Sequence, residues 1–240
     1  MNPHWAAFRQ ATCLPDWCFC EAIHVDGWLS QPANSLSAGV MLAFGAWILL
    51  HVFKRKKTGN LMQSSPVMGS IYAFALAVLG LGTFAYHATL TFAGQWADII
   101  GMYFIASYLI LYLVAQNQSW TVRKFAGVFF GTNIFLAGFG YAVPELRRWL
   151  FAVLVLVGIV QIIRARKELK WTYEARWLKT ALACLALATV IWILDIRKIV
   201  CVPDSLMQGH AIWHFLSSMA AYAGYRYFES GVQIPSPKPR

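Results

Sequence analysis

Charged side chains are scarce in this chain: Asp, Glu, Lys and Arg together make up 12% of it, and only 10 of 240 residues are acidic. Beside a hydrophobic content of 59%, that scarcity excludes an ordinary soluble domain. The net charge of +10 does not indicate nucleic acid, because the basic residues sit in short clusters between apolar runs rather than along one solvated face. No internal repeat is present, and no linker is long enough to separate two domains. The first 33 residues hold no continuous apolar run behind a basic start, so no removable signal peptide is expected. The first membrane span is expected to serve as the targeting signal instead.

What the chain does have is long apolar runs. A helix needs about 20 apolar residues to cross the hydrocarbon core. Seven segments approach that length, near Asn34–Phe53, Val67–His87, Asp98–Ala115, Phe125–Val143, Trp149–Ile163, Trp177–Leu194 and Gln208–Phe228. The fifth is short, and Arg147, Arg148 and Arg164 at its ends can snorkel to the headgroups. Of the 20 Lys and Arg, all but Arg9, Arg147, Arg148, Arg197 and Lys198 fall after the first, third and fifth spans or at the C-terminal end. By the positive-inside rule the N-terminus faces out and the C-terminus faces the cytoplasm. The expected fold is therefore an all-α membrane protein, a seven-transmembrane helix bundle. Residues 1–33 form an extracytoplasmic segment, 34–228 the bundle, and 229–240, rich in Pro, Ser and Lys, a disordered cytoplasmic tail.

In this topology the polar residues gather at one end. The second span ends at His87 and the third begins at Asp98, joined by the short loop Ala88–Trp96. The seventh opens with His210-Ala-Ile-Trp-His214, and an i, i+4 pair of imidazoles lies on one helical face, the spacing that lets two rings hold one ion. Gln31, Asn34 and Ser37 share a face of the first span's outer turn, and Asp195 closes the sixth at the same level. Taken singly, each has a plain reading. A histidine at a helix end serves as a headgroup contact, Asp98 complements a helix dipole, and the amides and Ser37 cap or bond neighbouring helices. Three imidazoles meeting from distant parts of the sequence point instead to a metal held between helices on the extracytoplasmic side.

Cysteine adds a constraint. Cys13, Cys18, Cys20 and Cys201 all fall in outward segments where oxidation is allowed, so a bridge from Cys18 or Cys20 to Cys201 would tie the N-terminal segment over the site. Cys184, within the sixth span, reads as a packing residue.

These residues, in this order, resemble the alkaline ceramidase family and its wider superfamily of seven-transmembrane metal-dependent hydrolases, which also includes the progestin and adipoQ receptors. The pieces that carry the resemblance are Asp16-Trp17-Cys18, Gln31-x-x-Asn34-x-x-Ser37, Thr83-x-x-x-His87, Asp98 and His210-x-x-x-His214, and they span nearly the whole chain. The resemblance implies zinc on His87, His210 and His214, a hydroxyl at Thr83, where the family usually has serine, and Asp98 as the group that activates water. It also implies a membrane-lipid substrate, ceramide or a related N-acyl lipid, cleaved at its amide to a long-chain base and a fatty acid. Animal members carry a calcium site near the N-terminus. Here Asp16 and Glu21 are its counterparts, but an expected acid falls at Phe19 or Cys20 and another is replaced by Gln31. Fewer anionic oxygens weaken calcium binding.

Two rival readings follow from the same residues. A receptor-like or lipid-binding protein with structural zinc predicts bound metal without turnover. A proton-coupled transporter would use intramembrane Asp and His, but no polar residues continue through the cytoplasmic half.

Overall fold

The computed structural model describes residues 2–14, 18–54, 59–168 and 171–234. Helix α1 (Pro32–Ser37) leads through Ala38 into α2 (Gly39–Val52), and a short α3 (Leu61–Ser64) precedes α4 (Pro66–Thr89). Then come α5 (Phe92–Asn117), α6 (Val122–Ala142), α7 (Arg147–Glu168), α8 (Ala175–Ile196) and α9 (Gly209–Glu229). Strands β1 (Trp171–Thr172) and β2 (Val232–Gln233) pair antiparallel, with Trp171 opposite Gln233.

Among the described residues, six helical segments are long and apolar enough to cross a membrane: Pro32–Val52, Pro66–Thr89, Phe92–Asn117, Val122–Ala142, Pro144–Arg164 and Ala175–Ile196. The chain is an all-α, multi-pass membrane protein. Helix α9, the expected seventh span, is as long as the shortest of the six but is not among them, because it carries His210, His214, Ser217, Ser218 and Arg226. The expected short fifth span extends at both ends, since Arg147 starts α7 and the helix runs on to Glu168. Residues 229–233, placed by the sequence in a disordered tail, carry structure: Glu229 closes α9 and Val232–Gln233 hydrogen-bond to β1. Residues 235–240 lie outside the described residues.

Helix α4 is the centre of the bundle, packed by α1, α2 and α5, while α9 lies against α1, α2 and α8. The outer faces are apolar: Leu50, Leu81, Ile134, Trp149 and Leu187 are all exposed, as expected of side chains in contact with lipid tails. Inside the half remote from the histidines, buried tyrosines supply the core. Tyr72 donates its hydroxyl to the Ala221 carbonyl at 2.6 Å and Tyr108 to that of Met68 at 2.8 Å, so neither O–H is left bare in an apolar interior.

The α4–α5 hairpin is tighter than the sequence suggested. The expected loop Ala88–Trp96 shrinks to Leu90 and Thr91. Leu90 adopts a left-handed conformation (φ 49°) that ends α4, and Thr91 caps α5 by accepting the Gly94 N–H at 3.1 Å. The third span thus begins at Phe92 rather than Asp98. Two glycines let the pair close up: a Cβ on Gly82 would collide with the Ala97 backbone, and one on Gly101 with the Leu79 backbone. Overpacking of this kind costs about 1–3 kcal/mol. Gly101→Ala should therefore lower the thermal midpoint in detergent by ~2–12 °C. Gly131→Ala, where a Cβ meets nothing within 4 Å, should not lower it. Equal midpoints for the two variants would show that the helices part without penalty.

Candidate metal and catalytic site

One end of the bundle collects the polar residues. His87 sits in the last turn of α4, Asp195 in the last turn of α8, and His210 and His214 in the first two turns of α9. The three imidazoles are buried, and one nitrogen from each lies within 4.8 Å of the others. Ring centroids are separated by 4.9 Å (His87–His210), 5.1 Å (His87–His214) and 4.5 Å (His210–His214). No other group of three or more His, Cys, Asp or Glu able to hold a metal occurs among the described residues.

Hydrogen bonds behind the rings set which nitrogens are bare. Gln31 donates its amide Nε2 to the Glu21 carbonyl at 3.1 Å, so its Oε1 is the atom facing His87 Nδ1 at 2.8 Å. A carboxamide oxygen only accepts, so Nδ1 of His87 carries the proton and Nε2 keeps its lone pair. Similarly, Ser37 donates its hydroxyl to the Asn34 carbonyl at 2.8 Å, which leaves its oxygen to accept from His214 Nδ1 at 2.7 Å. The proton on Nδ1 makes Nε2 of His214 the bare nitrogen. Nε2 of His87 and Nδ1 of His210 are buried without a protein partner, as are both polar atoms of the Asn34 carboxamide. Orphaned imidazole nitrogens facing one point are what a metal-ligand set looks like when only its protein atoms are counted.

Asp195 and Glu21, both candidates from the sequence, perform structural tasks. Asp195 Oδ1 accepts the His210 N–H at 3.1 Å and Oδ2 the Cys20 N–H at 3.1 Å, so one carboxylate caps α9 and holds the N-terminal segment beside it. Glu21 caps α1, with its two oxygens accepting from Ala33 N (2.7 Å) and Asn34 N (2.9 Å). Burial raises the Glu21 carboxyl above its ordinary value, opposed by those same two bonds. Each of its oxygens thus accepts one backbone N–H. Asp16, its expected companion, lies outside the described residues.

Thr83 lies one turn before His87 on α4. Its hydroxyl donates to Asp98 Oδ1 at 2.6 Å across the close α4–α5 contact made by Gly82 and Ala97. The hydroxyl expected at Thr83 is thus present, and its proton is engaged in holding Asp98.

Phe19 is the site residue that sequence reasoning missed. Its ring stacks on His210 (centroids 3.8 Å, 29°) and leans on His87 (5.0 Å), roofing the imidazoles. Disulfides on both sides hold it there. Cys20 pairs with Cys201, one of the two expected alternatives, whereas Cys18 pairs with Cys13, a partner five residues away. Bridged cysteines on either side of a lone aromatic are the signal that could have found it.

The family model described as Ceramidase matches residues 10–234. Among curated relatives, the Dictyostelium discoideum protein named "Putative alkaline ceramidase dcd3B" is 22% identical over 89% of this chain and 84% of its own length. Its paralogue named dcd3A is 21% identical over 90% and 85%. The alkaline ceramidase YPC1 of Saccharomyces cerevisiae is 20% identical over 89% of this chain and 74% of its own. With a match running from the roofing segment through the last helix, this chain belongs to the ceramidase family.

Proposed function

We propose that this protein is a zinc-dependent intramembrane hydrolase that cleaves the amide of a lipid such as ceramide, releasing a long-chain base and a free fatty acid. The observation that carries this reading is the buried trio His87, His210 and His214, with its bare nitrogens set by Gln31 and Ser37. Three neutral imidazoles without a carboxylate suit zinc and leave one tetrahedral position open. When bound, such a metal supplies Lewis acidity at a carbonyl and makes hydroxide available at a pH of about 7.

The rest of the reaction falls to the chain's own groups. Asp98 accepts the proton of the attacking water and returns it to the amine nitrogen as the C–N bond breaks. Thr83, bonded to Asp98 Oδ1, keeps that carboxylate aimed and acts as its positioning residue. Phe19 shields the imidazoles from bulk water, which strengthens every electrostatic contact beneath it.

In the same reading α9 is the seventh span, the N-terminus lies outside, the C-terminus is cytoplasmic, and the site opens toward the extracytoplasmic leaflet. Two disulfides at the site's end of the bundle support that orientation, since bridges persist in oxidising compartments. The basic residues Lys54, Lys124 and Arg176 at the other end support it as well.

The test pairs metal analysis of the purified protein with a mass-spectrometric screen for fatty acids released from a panel of N-acyl and O-acyl lipids. Near-stoichiometric zinc and fatty acid released from N-acyl sphingoid lipids are expected. Zinc and tightly held lipid without any released fatty acid would replace this reading with the receptor-like one.

A further inference from the structure

The connection between α8 and α9, residues 197–208, is unusual for a segment outside the apolar spans. Ile199, Val200 and Val202 are exposed, and Leu206 and Met207 are exposed at 89% and 80%. Nor does this segment hang loosely. Gln208 donates its amide to the carbonyls of Val202 (3.1 Å), Pro203 (3.1 Å) and Ser205 (2.5 Å), and Met207 N donates to Ser205 Oγ at 3.0 Å. Ala22 N donates to the Pro203 carbonyl at 3.0 Å, and Cys201 is bridged to Cys20. A scaffold of polar bonds thus holds apolar side chains outward, at a cost that water would not repay.

Behind this loop lies a cavity of about 260 Å³ between α8, α9 and the loop. Its walls are mostly apolar, with Ile191, Leu194, Val200 and Ile212 among them, and its inner boundary includes Cys20 and Gly209. Those two residues are the chain neighbours of Phe19 and His210, and Asp195, which also lines the cavity, accepts the backbone N–H of His210 at 3.1 Å. On the two helices that wall it, Leu187, Val190 and Ile193 of α8 and Phe215 of α9 are exposed apolar side chains. Whole small-molecule pockets run to about 300–1,000 Å³, so this one suits part of a lipid rather than all of it. Asp195 and Gln208 also border it, but both Asp195 carboxylate oxygens and the Gln208 amide nitrogen are already bonded to the protein, and a mostly apolar wall suits hydrocarbon.

We infer that residues 197–208 dip into the outer leaflet and that the cavity behind them receives the hydrocarbon chain of a bilayer lipid beside His210. This deepens the proposed function by naming where the substrate's chain lodges, and it rests on that reading for the identity of the lipid and for the leaflet. Arg197 and Lys198, both exposed at the start of the loop, suit the headgroup level.

To test it, the full chain is reconstituted in phosphatidylcholine vesicles doped with a phosphatidylcholine that carries a diazirine in its acyl chain. After photolysis, adducts are mapped by peptide mass spectrometry. Adducts are expected at Leu206, Met207 and the cavity wall up to Ile212, as well as on the lipid-facing side of α7. The double variant Leu206→Asp, Met207→Asp should lower adducts across 197–212 at least fivefold, with α7 adducts and bound metal unchanged. Ile191→Trp, which fills the cavity but leaves the loop tip apolar, should lower adducts on Gly209 and Ile212 while those on Leu206 persist. The inference is overturned if the loop stays unlabelled while α7 is labelled, as it would be if a second copy or a soluble partner covered it. It is overturned equally if either variant labels like the parent. No arm requires turnover, so this inference and the hydrolase reading can fail separately.

Discussion

Alanine at His210 is expected to empty the proposed metal site of the dialysed protein and to lower lipid hydrolysis by on the order of 10³-fold, the loss that corresponds to about 4 kcal/mol of transition-state stabilisation. The expectation follows from the geometry. His210 is one of three buried imidazoles whose nitrogens lie within 4.8 Å of one another, and two neutral ligands hold zinc far less well than three. The substitution leaves the helix cap in place, because Asp195 bonds the backbone N–H of His210 rather than its ring. His51→Ala is the matched control. That histidine lies at the opposite end of the bundle, 3.3 Å from Glu229, and its loss should leave metal content and turnover near the parental values. If His210→Ala kept both its metal and its turnover, the ligand assignment would be wrong.

Asp98→Asn is expected to lower kcat by about 10²–10⁴-fold, the usual contribution of a positioned general acid–base, while zinc content stays at the parental level. The carboxamide keeps the size of the side chain and can still meet the Thr83 hydroxyl, so what the variant loses is the capacity to take and return a proton. Thr83 gives an independent check. Thr83→Ala frees the carboxylate from its 2.6 Å bond and should cost less, about 10-fold or a little more. Thr83→Ser, which restores the hydroxyl without the methyl, should recover most of that. Turnover by Asp98→Asn within threefold of the parent would move the proton transfers to another group.

The histidines were legible because two simple regularities reach them. Apolar runs show where helices end, and an i, i+4 pair shares a face. What stayed hidden depends on contacts that local pattern does not carry. Thr91 caps α5 seven residues before Asp98, but Gln95 and Trp96 dilute the apolar run there, so the helix start is invisible to hydropathy. Helix α9 falls below the apolar threshold because it lines the site and the core with polar side chains, which is a tertiary fact about what it faces. Glu21 stands out only through the family resemblance, and only the position of α1 shows both its oxygens bound to Ala33 and Asn34. Cys13 was passed over for Cys18 because compartment limits which cysteines can pair without ranking the pairs.

The bridge between Cys20 and Cys201 joins residues 181 positions apart and fastens the roof over His210 to the far end of the chain. During synthesis this imposes an order. A ribosome that has released only the first eight helices has made His87, Asp98 and Phe19 but neither of the other two imidazoles nor the thiol that anchors the roof. A polypeptide of that length lacks two of the three imidazoles of the proposed site, and its roof can be fastened only once Cys201 has been made.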